Sequence, residues 1–196
     1  MFELSPGEQS ELLALARRTL EYFFQTCSVL SYQPHHNLLE TGAGVFVSLH
    51  RGDQLRGCIG YLKADRPLYK NVIESVLAAA FHDPRFSPLQ SDELFLLTIE
   101  ISVLSPFAKV DDVSEIMVGR DGVMISRGQS RGLLLPQVAA RFNWDRTRFL
   151  EETCIKAGLP RDCWSAGATI EKFSAQIFAE DAREQEAAGS QRPSVY

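Results

Sequence analysis

From Phe95 to Val103 the apolar residues Phe95, Leu97, Ile99, Ile101 and Val103 fall on every second position, with Thr98, Glu100 and Ser102 between them. That period of two predicts a strand with one face in a core and one partly polar face. Val45–Leu49 and Leu55–Leu62 are further β-like runs, joined by His50-Arg51-Gly52-Asp53-Gln54, a connection that suits a hairpin. Strand pairs this close in sequence leave no room for crossover helices, so antiparallel pairing dominates the expectation.

The helices are signalled by their ends. Ser5, Pro6 and Glu8 form a capping box, and Leu12, Leu13, Ala16, Leu20, Phe23, Phe24 and Cys27 follow at helical spacing. A second helix is read from Asp65 as cap and Pro67 in its first turn, ending near His82 because Pro84 disfavours helical geometry at Asp83. Short strands are read after Ser105-Pro106, at Ile116–Val118, Val123–Ile125 and Leu133–Leu135. A helix opens after Asp145 and stops at Gly158. Ile170–Phe178 fits a strand or a short helix, and the polar segment from Asp181 reads as a frayed tail. The fold class expected is α+β, a mainly antiparallel sheet flanked by helices, as one domain over 8–179 with a smaller lobe at about 107–168.

Charge and composition narrow the function. Twenty Lys and Arg against 25 Asp and Glu give −5, which offers no overall field for phosphate backbones or anionic lipid. No run is long and apolar enough to span a membrane, and no secretory signal opens the chain, so a cytoplasmic protein is expected. Cys27, Cys58, Cys154 and Cys163 lack CxxC spacing and a neighbouring histidine. Neither a disulfide framework nor a metal site is expected, and Cys27 and Cys154 read as core residues. Phosphate-loop, dinucleotide, zinc-protease and serine-hydrolase motifs are all missing.

The chemistry concentrates in Leu55-Arg56-Gly57-Cys58-Ile59-Gly60-Tyr61. On a strand, Leu55, Ile59 and Tyr61 share the core face, and Arg56 and Cys58 share the other, where a cation in reach of a thiol favours the thiolate. A buried sheet cysteine beside a paired arginine explains the same letters. His82 is the candidate general base, Glu100 the proton carrier or cation ligand, and Arg85 the anion clamp. Arg141 to Arg148 interleaves basic and aromatic residues, as nucleic-acid grooves do, although helix capping by Asp145 accounts for it more simply.

Leu55-Arg56-Gly57-Cys58-Ile59-Gly60, Asp83-Pro84-Arg85-Phe86, Ile99–Pro106 and Gly132–Ala139 together resemble the AMMECR domain family, whose prokaryotic members are called AmmeMemoRadiSam system protein A. Arg141 departs from the pattern, where an acidic residue is expected before Trp144-Asp145. The resemblance implies an α+β domain with two sub-lobes and association with a Memo-type protein and a radical-SAM enzyme. It implies no settled activity or cofactor. The expectation is therefore an accessory or ligand-binding component with an inter-lobe groove at Arg56 and Cys58. Its catalytic candidates are Cys58, Arg56, His82 and Glu100, and its candidates for contact with an unknown small ligand are Arg56, Gly57, Arg85, Ser102 and Gln137. The alternatives are a cysteine-nucleophile enzyme, a protein-interaction module and an RNA-binding protein.

Overall fold

The computed structural model describes residues 3–181, so the tail expected from Asp181 lies almost wholly outside the described residues. Two compact units are distinguished, one formed by residues up to Val103 and from Gln176, the other by Leu104–Ala175.

In the first unit, helix α1 (Pro6–Thr26) starts at its capping box: the Glu8 N–H donates to Ser5 Oγ while the Ser5 N–H donates to the Glu8 carboxylate. Leu12, Leu15, Ala16, Thr19 and Leu20 form its buried stripe. The stripe ends before Cys27. This cysteine is the C-cap, with φ 54°, and the left-handed backbone carries it out of the helical register to an exposed position instead of the expected core.

Strands β1 (Val45–Arg51) and β2 (Gln54–Tyr61) form the expected hairpin, and β3 (Leu97–Leu104) pairs antiparallel with the other side of β1. Val45, Val47, Leu49, Ile99 and Ile101 are sealed in the core, and helix α2 (Leu68–Phe81) packs against β1 and β2. Pro67, not Asp65, is the N-cap of α2, and no side chain caps it; the helix ends at His82, whose N–H donates to Ala78 O. Phe95 does not join β3. A reciprocal cap between Gln90 and Glu93 winds Ser91–Leu96 into a 3₁₀ turn, which takes Phe95 off the ladder and leaves it 61% exposed. Tyr61, at the strand end, is likewise exposed.

The second unit has its own core, built on Ile116, Val123, Ile125, Phe149, Leu150 and Ile170. Strands β5 (Asp121–Arg127) and β6 (Ser130–Leu134) form a hairpin. Strand β7 (Thr169–Ala179) settles the open reading of Ile170–Phe178; it pairs antiparallel with β5 and with the short β4 (Ala108–Lys109), and its last residues belong to the first unit beside β3. Ile116–Val118 is not a strand, because its backbone is taken up by a 3₁₀ turn at Val113–Glu115 and by the Asp121 carboxylate, which accepts from the Met117 N–H. The sequence reading did not anticipate the short helix α3 (Pro136–Arg141).

Helix α4 (Arg146–Lys156) is capped by Asp145, which accepts from the Arg148 N–H. Cys154 on α4 is buried as expected but bonded to Cys163, contrary to the expectation of free thiols. The turn through Gly158 (φ 70°) folds the chain back, so two cysteines nine positions apart meet inside the core. The fold is α+β with antiparallel pairing, as expected.

Candidate functional site

The register of β1 with its two neighbours places Cys58 opposite Ser48, and Ser48 opposite Glu100. One row across three strands therefore carries a thiol, a hydroxyl and a carboxylate on the face opposite Val47 and Leu49. The Cys58 N–H donates outward to Asp83 Oδ2 at 2.9 Å, not to β1. The two backbones of the Ser48–Cys58 pair thus turn away from each other, the arrangement that brings cross-strand side chains closest. Ser48 Oγ donates to Cys58 Sγ at 3.3 Å. Ser48 is buried, whereas Cys58 is a free thiol of intermediate exposure.

Asp83 and Arg85 hold the outer side of Cys58. Asp83 is 4% exposed, and besides the Cys58 N–H it accepts from Arg85 N, Nε and Nη2 at 3.1, 2.9 and 2.7 Å. The Arg85 guanidinium keeps the Asp83 carboxyl ionised, with a pKa down at about 2 despite burial, and the N–H of Cys58 adds to the effect. Arg85 Nη2 also donates to the Cys58 carbonyl at 3.2 Å, and its guanidinium lies 5.3 Å from the centre of the Phe86 ring. Arg85 is held protonated by Asp83 first and, more weakly, by the electrostatic influence of the Cys58 thiol. Asp-Pro-Arg-Phe is therefore a clamp on the backbone of one cysteine.

The guanidinium held at Cys58 is thus that of Arg85, at its carbonyl, and not that of Arg56 as expected. Arg56 forms a two-point fork on Glu93, Nε to Oε1 at 2.8 Å and Nη2 to Oε2 at 2.9 Å, and its Nη1 donates to Ser87 O. A carboxylate outbids a thiol for a guanidinium. The register of β1 and β2 also slips by one residue, from Leu49↔Gly57 to His50↔Leu55, so Arg56 is the extra residue of a bulge and is aimed differently from a regular alternation.

Gly57 faces the core, not a ligand. A Cβ there would lie 2.1 Å from Ala79 O, so the glycine is what lets α2 approach the strand. At Gly60 a Cβ would overlap the Phe46 ring. His82 is exposed, and its backbone N–H is occupied in closing α2. Ser102 is 1% exposed, on the same face as Ser48 and opposite Phe46. Gln137 lies in α3 of the second unit, while Arg56, Cys58, His82, Arg85, Glu100 and Ser102 all belong to the first.

The sequence reading assigned no role to Ser48, Asp83 or Glu93. Ser48 is announced only by being a polar residue on the Phe46-Ser48-His50 face, and Asp83 only by preceding a proline. His50 shares that face, and its Nε2 is buried without a hydrogen-bond partner. A shallow hollow of about 290 Å³ lined by Arg17, Glu21, Ser91, Asp92, Leu94 and Phe95 contains none of these residues. Its Arg17 is spent on Glu180 and on the carbonyls of Leu94 and Leu97.

The AMMECR1 family model matches residues 13–178, a span that includes the strand row and the clamp. The chain belongs to the AMMECR1 family. An AMMECR1 relative in Methanothermobacter thermautotrophicus is 41% identical over 186 residues, covering 91% of this chain and 97% of its own. Another in Thermococcus kodakarensis is 43% identical over 183 residues, covering 87% and 89%. The crystal structure of an uncharacterised protein from Pyrococcus horikoshii superposes with a TM-score of 0.84 at 39% identity, over 89% of this chain and 92% of that one. Among the described residues of this AMMECR1 chain, no helix is long and apolar enough to cross a membrane.

Proposed function

We propose that this AMMECR1-family chain is an accessory, ligand-binding protein of a modification pathway, and that it acts through a thiol site on the polar face of the first unit's sheet. The observation that carries this reading is the free, partly exposed Cys58 held on three sides, by the Ser48 hydroxyl at its sulfur, Asp83 at its N–H and Arg85 at its carbonyl. Arg56 and Glu93 support the site as an ion pair, and Glu100 and Ser102 extend its polar face. The family resemblance supplies the pathway context, a Memo-type and a radical-SAM partner.

The test is site-resolved alkylation of the folded protein with iodoacetamide, followed by pull-down. Cys58 is expected to label without denaturant, and Cys58→Ala to lose ligand retention while keeping both partners. Labelling only after unfolding would overturn the thiol site, and failure to associate with either partner would overturn the pathway assignment.

The row itself favours a second reading, in which Cys58 is a nucleophile. Ser48 donates to the sulfur and pairs across the strands with Glu100, so a thiolate at Cys58 has a hydroxyl donor at hand and a carboxylate one strand further on. On this reading Ser48→Ala and Glu100→Gln each change the pH profile of Cys58 alkylation; a profile unmoved by both removes the nucleophile.

A further inference from the structure

The Asp83–Arg85 clamp leaves part of the guanidinium unspent. Nε and Nη2 of Arg85 are engaged by Asp83, and Nη2 also by the Cys58 carbonyl, but Nη1 donates to no oxygen among the described residues. The Arg85 side chain is 54% exposed while the Asp83 side chain behind it is 2% exposed, so the ion pair turns its positive end to solvent at the residue whose carbonyl Arg85 holds, Cys58. The two-point fork and the Phe86 ring already fix the plane of the guanidinium, so a ligand loses little by ordering it. Of the nearby carboxylates, Glu93 is neutralised by Arg56, and Glu100 lies beyond Ser48, two strands from Cys58.

We infer that Arg85 Nη1 and Cys58 Sγ form a subsite for a small anionic ligand, a carboxylate or a phosphate, seated so that the group attached to the anion faces the thiol. The inference rests on the thiol site proposed above and names the ligand class that site takes.

Iodoacetate and iodoacetamide test it, because they differ only in a carboxylate against an amide. Each forms the same S–C bond as iodide leaves with the C–I electron pair and the thiol proton passes to buffer. Cys27, free and exposed, is the reference thiol within the same chain. In the native protein the iodoacetate-to-iodoacetamide rate ratio is expected to be about five-fold higher at Cys58 than at Cys27, a charge-assisted preference, and to fall towards the Cys27 value as NaCl is raised.

Arg85→Gln abolishes the difference and Arg85→Lys retains most of it. The thiolate fraction of Cys58 divides out of the ratio, so a change in the iodoacetamide rate on losing the cation does not enter it; a thermal melt and Cys27 labelling matching the parent protein show that neither variant has merely unfolded. Protection of Cys58 by inorganic phosphate but not propionate assigns a phosphate-bearing ligand, and the reverse assigns a carboxylate. Equal ratios at the two thiols, or a high ratio that survives Arg85→Gln, overturns the anionic subsite while leaving the thiol site standing. A Cys58 that neither reagent reaches overturns the thiol site itself.

Discussion

Asp83 is the residue on which the local order of the site depends. It is an ionised carboxylate removed from water and repaid by four hydrogen bonds, one of them from the cysteine it positions. Replacing it with Asn keeps the shape but removes the charge and turns one acceptor into a donor. Asp83→Asn is expected to cost about 2 kcal/mol, read by urea denaturation, and to speed amide exchange at Cys58. The acid limb follows from the same residue. The folded pKa is about 2 against an ordinary 3.8, so the stabilisation is complete above the ordinary value and is lost as pH falls from there to about 2. Glu11 behaves alike. Burial alone would raise it, yet the His36 side chain, the His35 N–H and the Tyr32 hydroxyl bring it down to about 2. Asp83→Asn is therefore expected to flatten only part of the acid limb in a pH series of melting temperatures.

Arg56 shows how far the letters could be read at this scale. The motif was visible, but alternation named Arg56 as the cation near Cys58, whereas the guanidinium found there, Arg85, comes from the loop after α2 and not from the strand. The deciding facts are a bulge and a carboxylate 37 positions away, neither written into the local pattern. Ser48 and Asp83 were hidden for related reasons: the role of Ser48 depends on the register between strands, and that of Asp83 on where the loop after α2 meets the edge of β2.

At the scale of elements, the contact of α2 with β2 rests on a missing side chain. Gly57→Ala places a methyl 2.1 Å from Ala79 O, a backbone atom that moves only if the helix moves. A loss of about 2 kcal/mol or more is expected in thermal unfolding, together with altered iodoacetamide labelling of the neighbouring Cys58. Helix and strand periods made α1, α2, β1, β2 and most of β3 legible, and the caps at Ser5 and Asp145 were legible from single letters. Phe95 was misplaced because alternation continued into Ser91–Leu96, a 3₁₀ turn whose start is capped by Gln90 and Glu93. The Cys154–Cys163 bond was missed because spacing along the chain says nothing of how the turn at Gly158 folds back. That bond closes a loop of nine positions, so its reduction is expected to destabilise the second unit by about 2–3 kcal/mol, measured as the shift in denaturation midpoint with and without dithiothreitol.

For the molecule as a whole, the important fact is that each unit owns a core: Val45, Val47, Leu49, Ile99 and Ile101 in one, Val123, Ile125, Phe149 and Leu150 in the other. Destabilisation in one core need not open the other. Hydrogen exchange after reduction is expected to rise in α4 and the turn at Cys163, and to stay unchanged in β1 and β2. Uniform acceleration across the chain would instead show a single cooperative unit.

The clamp on Cys58 has a consequence for how copies of the protein meet. Strand β2 ends the strand order of its unit, and the outward N–H and C=O of Cys58 are the groups a stranger's backbone would seize. Asp83 and Arg85 already occupy both, imitating with two side chains the neighbour that is not there. The rim is thereby closed at Cys58, and the loop that tends the thiol also guards that point against cross-molecular zippering.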